Sequence, residues 1–218
     1  WAPIGRPMVL ARNAADLDFY AARYRPNTLL SGTRHPIIGY YGAIADWFDL
    51  DLMTEVARAR PQYSFVLLGG VFGVDVSALK ALPNVSMLGQ QPYSTMPQYL
   101  YHFDVCLIPF KVNPITEATD PVKLYEYLSA GKPVVSVDLP ELEPAREHIY
   151  IARSVDDFVD KLDAAVAEDD RSLKDRQRAF VADHTWAARY RTIRDGLATV
   201  VRRASIVIVT YNNLPLTR

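Results

Sequence analysis

Asp120-Pro-Val-Lys-Leu-Tyr-Glu-Tyr-Leu-Ser-Ala-Gly-Lys-Pro-Val-Val135 reads as a loop, a helix, a stop and a strand in immediate succession. Asp120 is a good N-cap, and Pro121 suits the first helical position, where a missing N–H costs nothing. Gly131 can take the left-handed conformation just past a helix end. The run Val134-Val-Ser-Val137 has the β-branched composition of a strand. Lys123 and Glu126 stand three residues apart and so share a helix face. The lysine lies beside the free N–H groups of the first turn, an arrangement that suits an anion such as a diphosphate. The glutamate, one turn deeper, suits ligand hydroxyls. An ordinary helix carrying one surface ion pair of little energetic weight would read the same way.

Outward from this segment, strands alternate with helices. Pro36–Gly42 reads as a buried strand, and 49–60 as a helix with apolar residues at 50, 53, 56 and 57 that stops before Pro61. A strand over Tyr63–Gly70, a short helix at 76–81 and a strand over Asn84–Gly89 follow. Ser94 is placed to cap a helix ending near His102, and Asp104–Phe110 is the next strand. Beyond the opening segment come a weaker strand near His148–Ala152 and helices at about 155–167, 171–182 and 186–203. The alternation predicts an α/β fold: a Rossmann-like, doubly wound parallel sheet with helices on both faces and ligands at the carboxyl ends of its strands.

The 218 residues carry a net charge of −1, which argues against nucleic acid as a partner, since phosphate backbones call for a basic excess. A chain of this length buries roughly 70 % of its unfolded surface, enough for one good core or two small domains. No apolar stretch approaches the roughly 20 residues of a spanning helix. Cys106, the single cysteine, sits in the apolar run Val105-Cys-Leu-Ile108 and reads as a small buried hydrophobe in a reducing, cytoplasmic setting. His35, His102, His148 and His184 lack ligand spacing, so no metal is expected. Asp16-Leu-Asp18 and Asp49-Leu-Asp51 both open helices and read as caps.

The segment around 120–135 resembles the donor-binding signature of retaining glycosyltransferases of family 4, which have a GT-B fold. In that family a Glu-x7-Glu motif precedes an Ala-Gly-Lys-Pro-Val turn such as this one. The second glutamate, which by resemblance bonds the ribose of a nucleotide sugar, falls on Glu126; the first falls on Ala118, with Glu117 beside it. Arg12-Asn-Ala-Ala-Asp-Leu-Asp-Phe-Tyr20 resembles the stretch by which the family enters its C-terminal domain. Family members hold the diphosphate with basic residues after the first strand. Here that loop is Ala43-Ile-Ala-Asp-Trp-Phe-Asp49, so Lys111 and Lys123 are the available cations.

The resemblance implies a donor site made of Gly42, Gln91, Lys111, Thr116, Glu117, Asp120, Lys123 and Glu126, with Gln90 beside the base. The donor is a UDP- or GDP-hexose and no cofactor is called for. The acceptor, a glycan or lipid-linked glycan, is met through an N-terminal domain, at the cytoplasm or the cytoplasmic face of the membrane. Residues 1–203 read as this C-terminal nucleotide-sugar-binding domain. Ser205-Ile-Val-Ile-Val209 and the residues to Arg218 resemble the opening strand of a second, family 2 (GT-A) transferase module, so the chain reads as an excerpt. Two rivals share the fold: another GT-B enzyme such as a nucleotide-sugar 2-epimerase, and a non-catalytic binding domain.

Overall fold

The sheet is assembled around Ile37–Tyr41 (β1), whose five residues are all buried. A computed structural model describes residues 8–21, 28–168 and 171–198. In it, β1 is flanked by Ser64–Leu68 (β2) and Val105–Ile108 (β4), with Val85–Met87 (β3), Val134–Val137 (β5) and Tyr150–Ala152 (β6) completing the order β3-β2-β1-β4-β5-β6. All five pairings are parallel, and Gly39 of β1 lies opposite Val66 on one side and Cys106 on the other. Strands covered on both faces need apolar side chains on both, and β1, β4 and β5 are buried at every position. Burial also pushes the Cys106 thiol up, as expected of a core residue rather than a nucleophile.

Leu50–Ala59 (α2), Ser77–Lys80 (α3) and Val155–Val166 (α7) pack together on one face. Met96–His102 (α4), Val122–Ser129 (α6) and Arg171–Ala182 (α8) cover the other, joined by the short Leu17–Ala21 (α1). Pro114–Glu117 (α5) leads into α6, and Trp186–Ala198 (α9) ends the described chain. Asp49 caps α2 through the N–H of Leu52 at 3.0 Å, and Asp16 accepts from Phe19 N–H at 3.0 Å, both as the sequence suggests. Two expected caps are corrected. α6 begins at Val122 with Pro121 in the cap position, because Asp120 turns its carboxylate to other partners. Ser94 makes no cap bond either: the chain enters α4 through a 3-10 turn at Tyr93–Thr95, where Thr95 donates to Pro92 O at 2.7 Å.

The far end of α6 closes as expected. Gly131 has φ +65°, and the N–H groups of Gly131 and Lys132 return to the carbonyls of Leu128 and Tyr127. Lys132 then donates to Tyr101 O at 3.0 Å and Phe103 O at 2.7 Å, closing the carbonyl end of α4. The helix over 186–203 is described as far as Ala198, and the strand expected at 205–209 lies outside the described residues.

Gly39 shows how tightly α4 is seated on β1. A methyl group added there would stand 2.0 Å from the buried Phe103 ring. Gly39→Ala should therefore destabilise the domain by about 1–3 kcal/mol in urea unfolding. Adding Phe103→Leu should recover part of that loss, and an unchanged midpoint in the single variant would refute this packing.

Candidate functional site

The strand order reverses between β1 and β4, and the loops after β1 and β2 diverge there from the segment leading to α6. A cavity of about 850 Å³ opens at this edge, lined after β1 by Tyr41, Gly42, Ala43, Asp46 and Trp47, and after β2 by Gly69, Gly70 and Phe72. Gln90, Gln91, Tyr93 and Met96 close its other side. The wall is mostly apolar and aromatic, with Asp46 as its charged residue.

Lys123 reaches this edge from the first turn of α6. Its ammonium lies 5.3 Å from the centre of the Tyr40 ring and 4.8 Å from that of Phe110. Gly42 makes the approach possible. With φ +139° it takes a conformation that favours glycine, and a methyl group there would sit 3.3 Å from Nζ and 3.0 Å from the Tyr40 hydroxyl. Burial pulls the Lys123 amine down to about 8, with the Glu126 carboxylate acting the other way. Among the described residues no carboxylate forms a salt bridge with Lys123.

Glu126 is buried at 4 % exposure. Its Oε1 accepts from the Tyr93 hydroxyl at 2.9 Å. Tyr20 and Tyr41 complete an aromatic enclosure, and their hydroxyls are buried without a hydrogen-bond partner among the described residues. Burial first, and then the negative charge of Glu126, raises the phenols of Tyr20, Tyr41 and Tyr93, the last to about 12. Sequence reading misses this enclosure: Tyr20, Tyr41 and Tyr93 come from three distant segments, and no spacing connects them.

The other expected site residues are distributed. Gly42 and Gln91 line the cavity, with Gln91 donating to Leu88 O at 2.8 Å. Lys111 is exposed and lines a separate cavity of about 700 Å³ with Asp49, Asp138 and Arg153. Thr116 is 2 % exposed, and its hydroxyl is held by Lys111 O within the capping box that Asn113 builds at the head of α5. The Asn113-Pro114 pair is a start signal that would have revealed this helix. Glu117 is exposed at the end of α5.

Asp120 is a junction rather than a cap. Its carboxylate accepts from Asn13 N–H at 2.7 Å and from the Tyr125 hydroxyl at 2.9 Å, and its carbonyl accepts from Asn13 Nδ2 at 2.6 Å. Arg189 of α9 in turn donates to Asn13 O. The Asn13 stretch noticed in the sequence thus ties the entering chain to the head of α6.

A phosphate-compatible helix start at the reversal point of a six-stranded parallel sheet calls for comparison with known proteins. The family described as glycosyl transferase-like matches residues 51–195, well over half of the chain. The chain belongs to this family. The Bacillus subtilis protein TuaH, provisionally assigned as a teichuronic acid biosynthesis glycosyltransferase, is 29 % identical over 192 residues, covering 83 % of this chain and 48 % of TuaH. This member of the glycosyl transferase-like family therefore spans about half the length of that relative. Anabaena HepE, solved in complex with UDP and glucose, is similar with a TM-score of 0.67 and 15 % identity over 86 % of this chain and 56 % of HepE. The trehalose-6-phosphate synthase OtsA gives 0.65 and 12 % identity, over 86 % of this chain and 49 % of that one. These likenesses establish the Rossmann-like fold of GT-B glycosyltransferases. No helix of the described residues is long and apolar enough to cross a membrane.

The junction yields a stability test. Asp120→Ala leaves the Asn13 N–H and the Tyr125 hydroxyl without their acceptor, which should cost about 1–3 kcal/mol. Chemical denaturation should show it. A variant as stable as the parent would mean that α6 is positioned by other contacts.

Proposed function

We propose that this domain binds a UDP- or GDP-hexose as the donor half of a retaining glycosyltransferase that builds a glycan or surface polysaccharide. The observation that carries the reading is the pair Lys123 and Glu126, one turn apart at the head of α6 and each short of partners. Glu126 is buried with one hydrogen bond, although a buried carboxylate is costly unless well bonded. Lys123 adds positive charge to a helix end that is already positive, and forms no salt bridge among the described residues, where the Glu126 carboxylate offsets only part of the cost of its burial. A nucleoside diphosphate answers both needs. Its phosphates meet Lys123 beside Gly42, and its ribose hydroxyls donate to Glu126. The aromatic-walled cavity takes the base near Gln90 and Gln91, and the hexose extends toward the loop after β4.

TuaH's assignment to teichuronic acid biosynthesis and the UDP and glucose bound to HepE support this choice of donor and product class. Acceptor and catalytic groups belong in this reading to a further domain, so the chain alone binds donor and does not transfer it.

Calorimetric titration with UDP, GDP and their nucleosides tests the proposal. Glu126→Gln keeps the side-chain volume and the acceptor for Tyr93 but loses the charge. It should weaken diphosphate binding about ten- to a hundred-fold, the value of a hydrogen bond to a charged group. A large loss of melting temperature at unchanged affinity would make Glu126 structural instead.

The phosphate contact is tested by pH. Because burial lowers the free amine to about 8, diphosphate affinity should decline as the pH rises past that value, where binding must first protonate the lysine. Lys123→Met should remove the decline and narrow the advantage of diphosphate over nucleoside. Equal binding of nucleoside and diphosphate by the parent protein would take the phosphates away from α6.

A further inference from the structure

We propose that the Tyr93 hydroxyl occupies, on Glu126, the seat of a ligand hydroxyl, and is exchanged for it when a nucleoside diphosphate binds. The inference rests on the donor reading of Glu126 and adds a specific residue and a displacement to it. Three phenols surround this carboxylate, and they differ in their freedom to move. Tyr20 is fully buried and Tyr41 is 6 % exposed, so turning either ring would open a hole in the core. Tyr93 is 60 % exposed. It stands in the three-residue turn Tyr93–Thr95, lines the cavity, and leans on Phe19 with ring centres 5.5 Å apart and planes 14° from parallel.

The outermost ring is thus the one whose hydroxyl reaches inward to the buried acceptor, at 2.9 Å. This geometry makes the bond a stand-in. In this proposal the ring pivots along the Phe19 face, giving up its edge contact with Tyr20 at 6.3 Å between ring centres, and its hydroxyl then finds water or ligand. Glu126, losing a donor, gains one from the incoming ribose, so the number of bonds to the carboxylate is conserved. The Tyr41 hydroxyl, which has no partner among the described residues and belongs to a cavity-lining side chain, gives a second ligand hydroxyl a place to bond. A ligand must present hydroxyls to pass this exchange. A nucleoside diphosphate lacking both ribose hydroxyls leaves Tyr93 where it is.

Tyr93→Phe is the test, measured by titration with whichever of UDP or GDP binds the parent protein and with its 2′,3′-dideoxy analogue. Removing the competing hydroxyl should tighten binding of the full nucleotide about three- to ten-fold, a partial share of a charge-assisted bond because the phenol is largely exposed. The dideoxy analogue should gain nothing. In a Glu126→Gln background the gain should shrink toward zero. Unchanged or weaker binding by Tyr93→Phe, or an equal gain for both ligands, overturns the exchange. Failure of the donor reading is told apart from this: there Glu126→Gln binds as the parent does, or the parent binds neither nucleotide. Because Tyr93→Phe takes from the buried Glu126 carboxylate the donor it has in the free protein, its melting temperature without ligand should fall while its affinity for the full nucleotide rises, a combination that misfolding cannot produce.

Discussion

Helix α6 is fixed at both ends by hydrogen bonds to other elements, and the site follows from that placement. At its head, Asp120 joins the entering chain through Asn13 and the helix's own Tyr125. At its tail, the left-handed Gly131 reverses the chain and Lys132 caps the carbonyl end of α4. With both ends held, the face bearing Lys123 and Glu126 has one orientation relative to β1. Gly42 then decides how near the lysine comes to that strand. The segment that begins at Asp120 is therefore a folding device and, in the proposed reading, part of the donor site. Lys132 and Asp120 serve the first role, which leaves Lys123 and Glu126 for the second.

Periodicity and turn chemistry made the layers legible. Strands such as Val105-Cys-Leu-Ile108 and Val134-Val-Ser-Val137 read as buried because both faces are covered, and the sheet is parallel for the same reason. The helix stop at Gly131 and the Asp49 cap were legible because each needs only neighbours in sequence. Asp120 and Ser94 were misread for the matching reason. Local rules offer each a backbone N–H to cap, but Asn13 and Tyr125 compete successfully for Asp120, and a 3-10 turn pre-empts Ser94. What decides those positions lies in other segments, and no single window contains it.

The same limit hid the surroundings of Glu126. A glutamate three residues after a lysine reads as solvated, and the enclosure that buries it comes from α1, β1 and the loop before α4. Lys111 illustrates the converse. It follows β4 in sequence just as a phosphate ligand would, but its N–H is bound to Trp47 O and its side chain lies on the second cavity, beside Asp138 and Arg153. The loop after β1 has no basic residue and none lines the main cavity, so among the described residues Lys123, which stands behind Gly42 at the cavity edge, is the cation nearest to it in the proposed reading.

Several departures from local consistency cluster at one place. A lysine in the first turn of a helix opposes the dipole, and among the described residues a buried carboxylate holds a single bond and two buried phenols hold none. These meet at one edge of the sheet, between β1 and α6; two further buried atoms without a partner among the described residues, His148 Nδ1 and Gln177 Oε1, belong to a separate contact where Gln177 of α8 donates to His148 O. The lysine makes the cost explicit: its lowered amine means that, below about pH 8, the folded state carries a charge the unfolded chain would hold more comfortably. Raising the pH from there toward the ordinary lysine value relieves that penalty, and so does an anion that brings compensating charge. Of the two groups of unmet polar atoms, the one where the strand order reverses is the one beside the main cavity, and that coincidence is what the donor reading rests on.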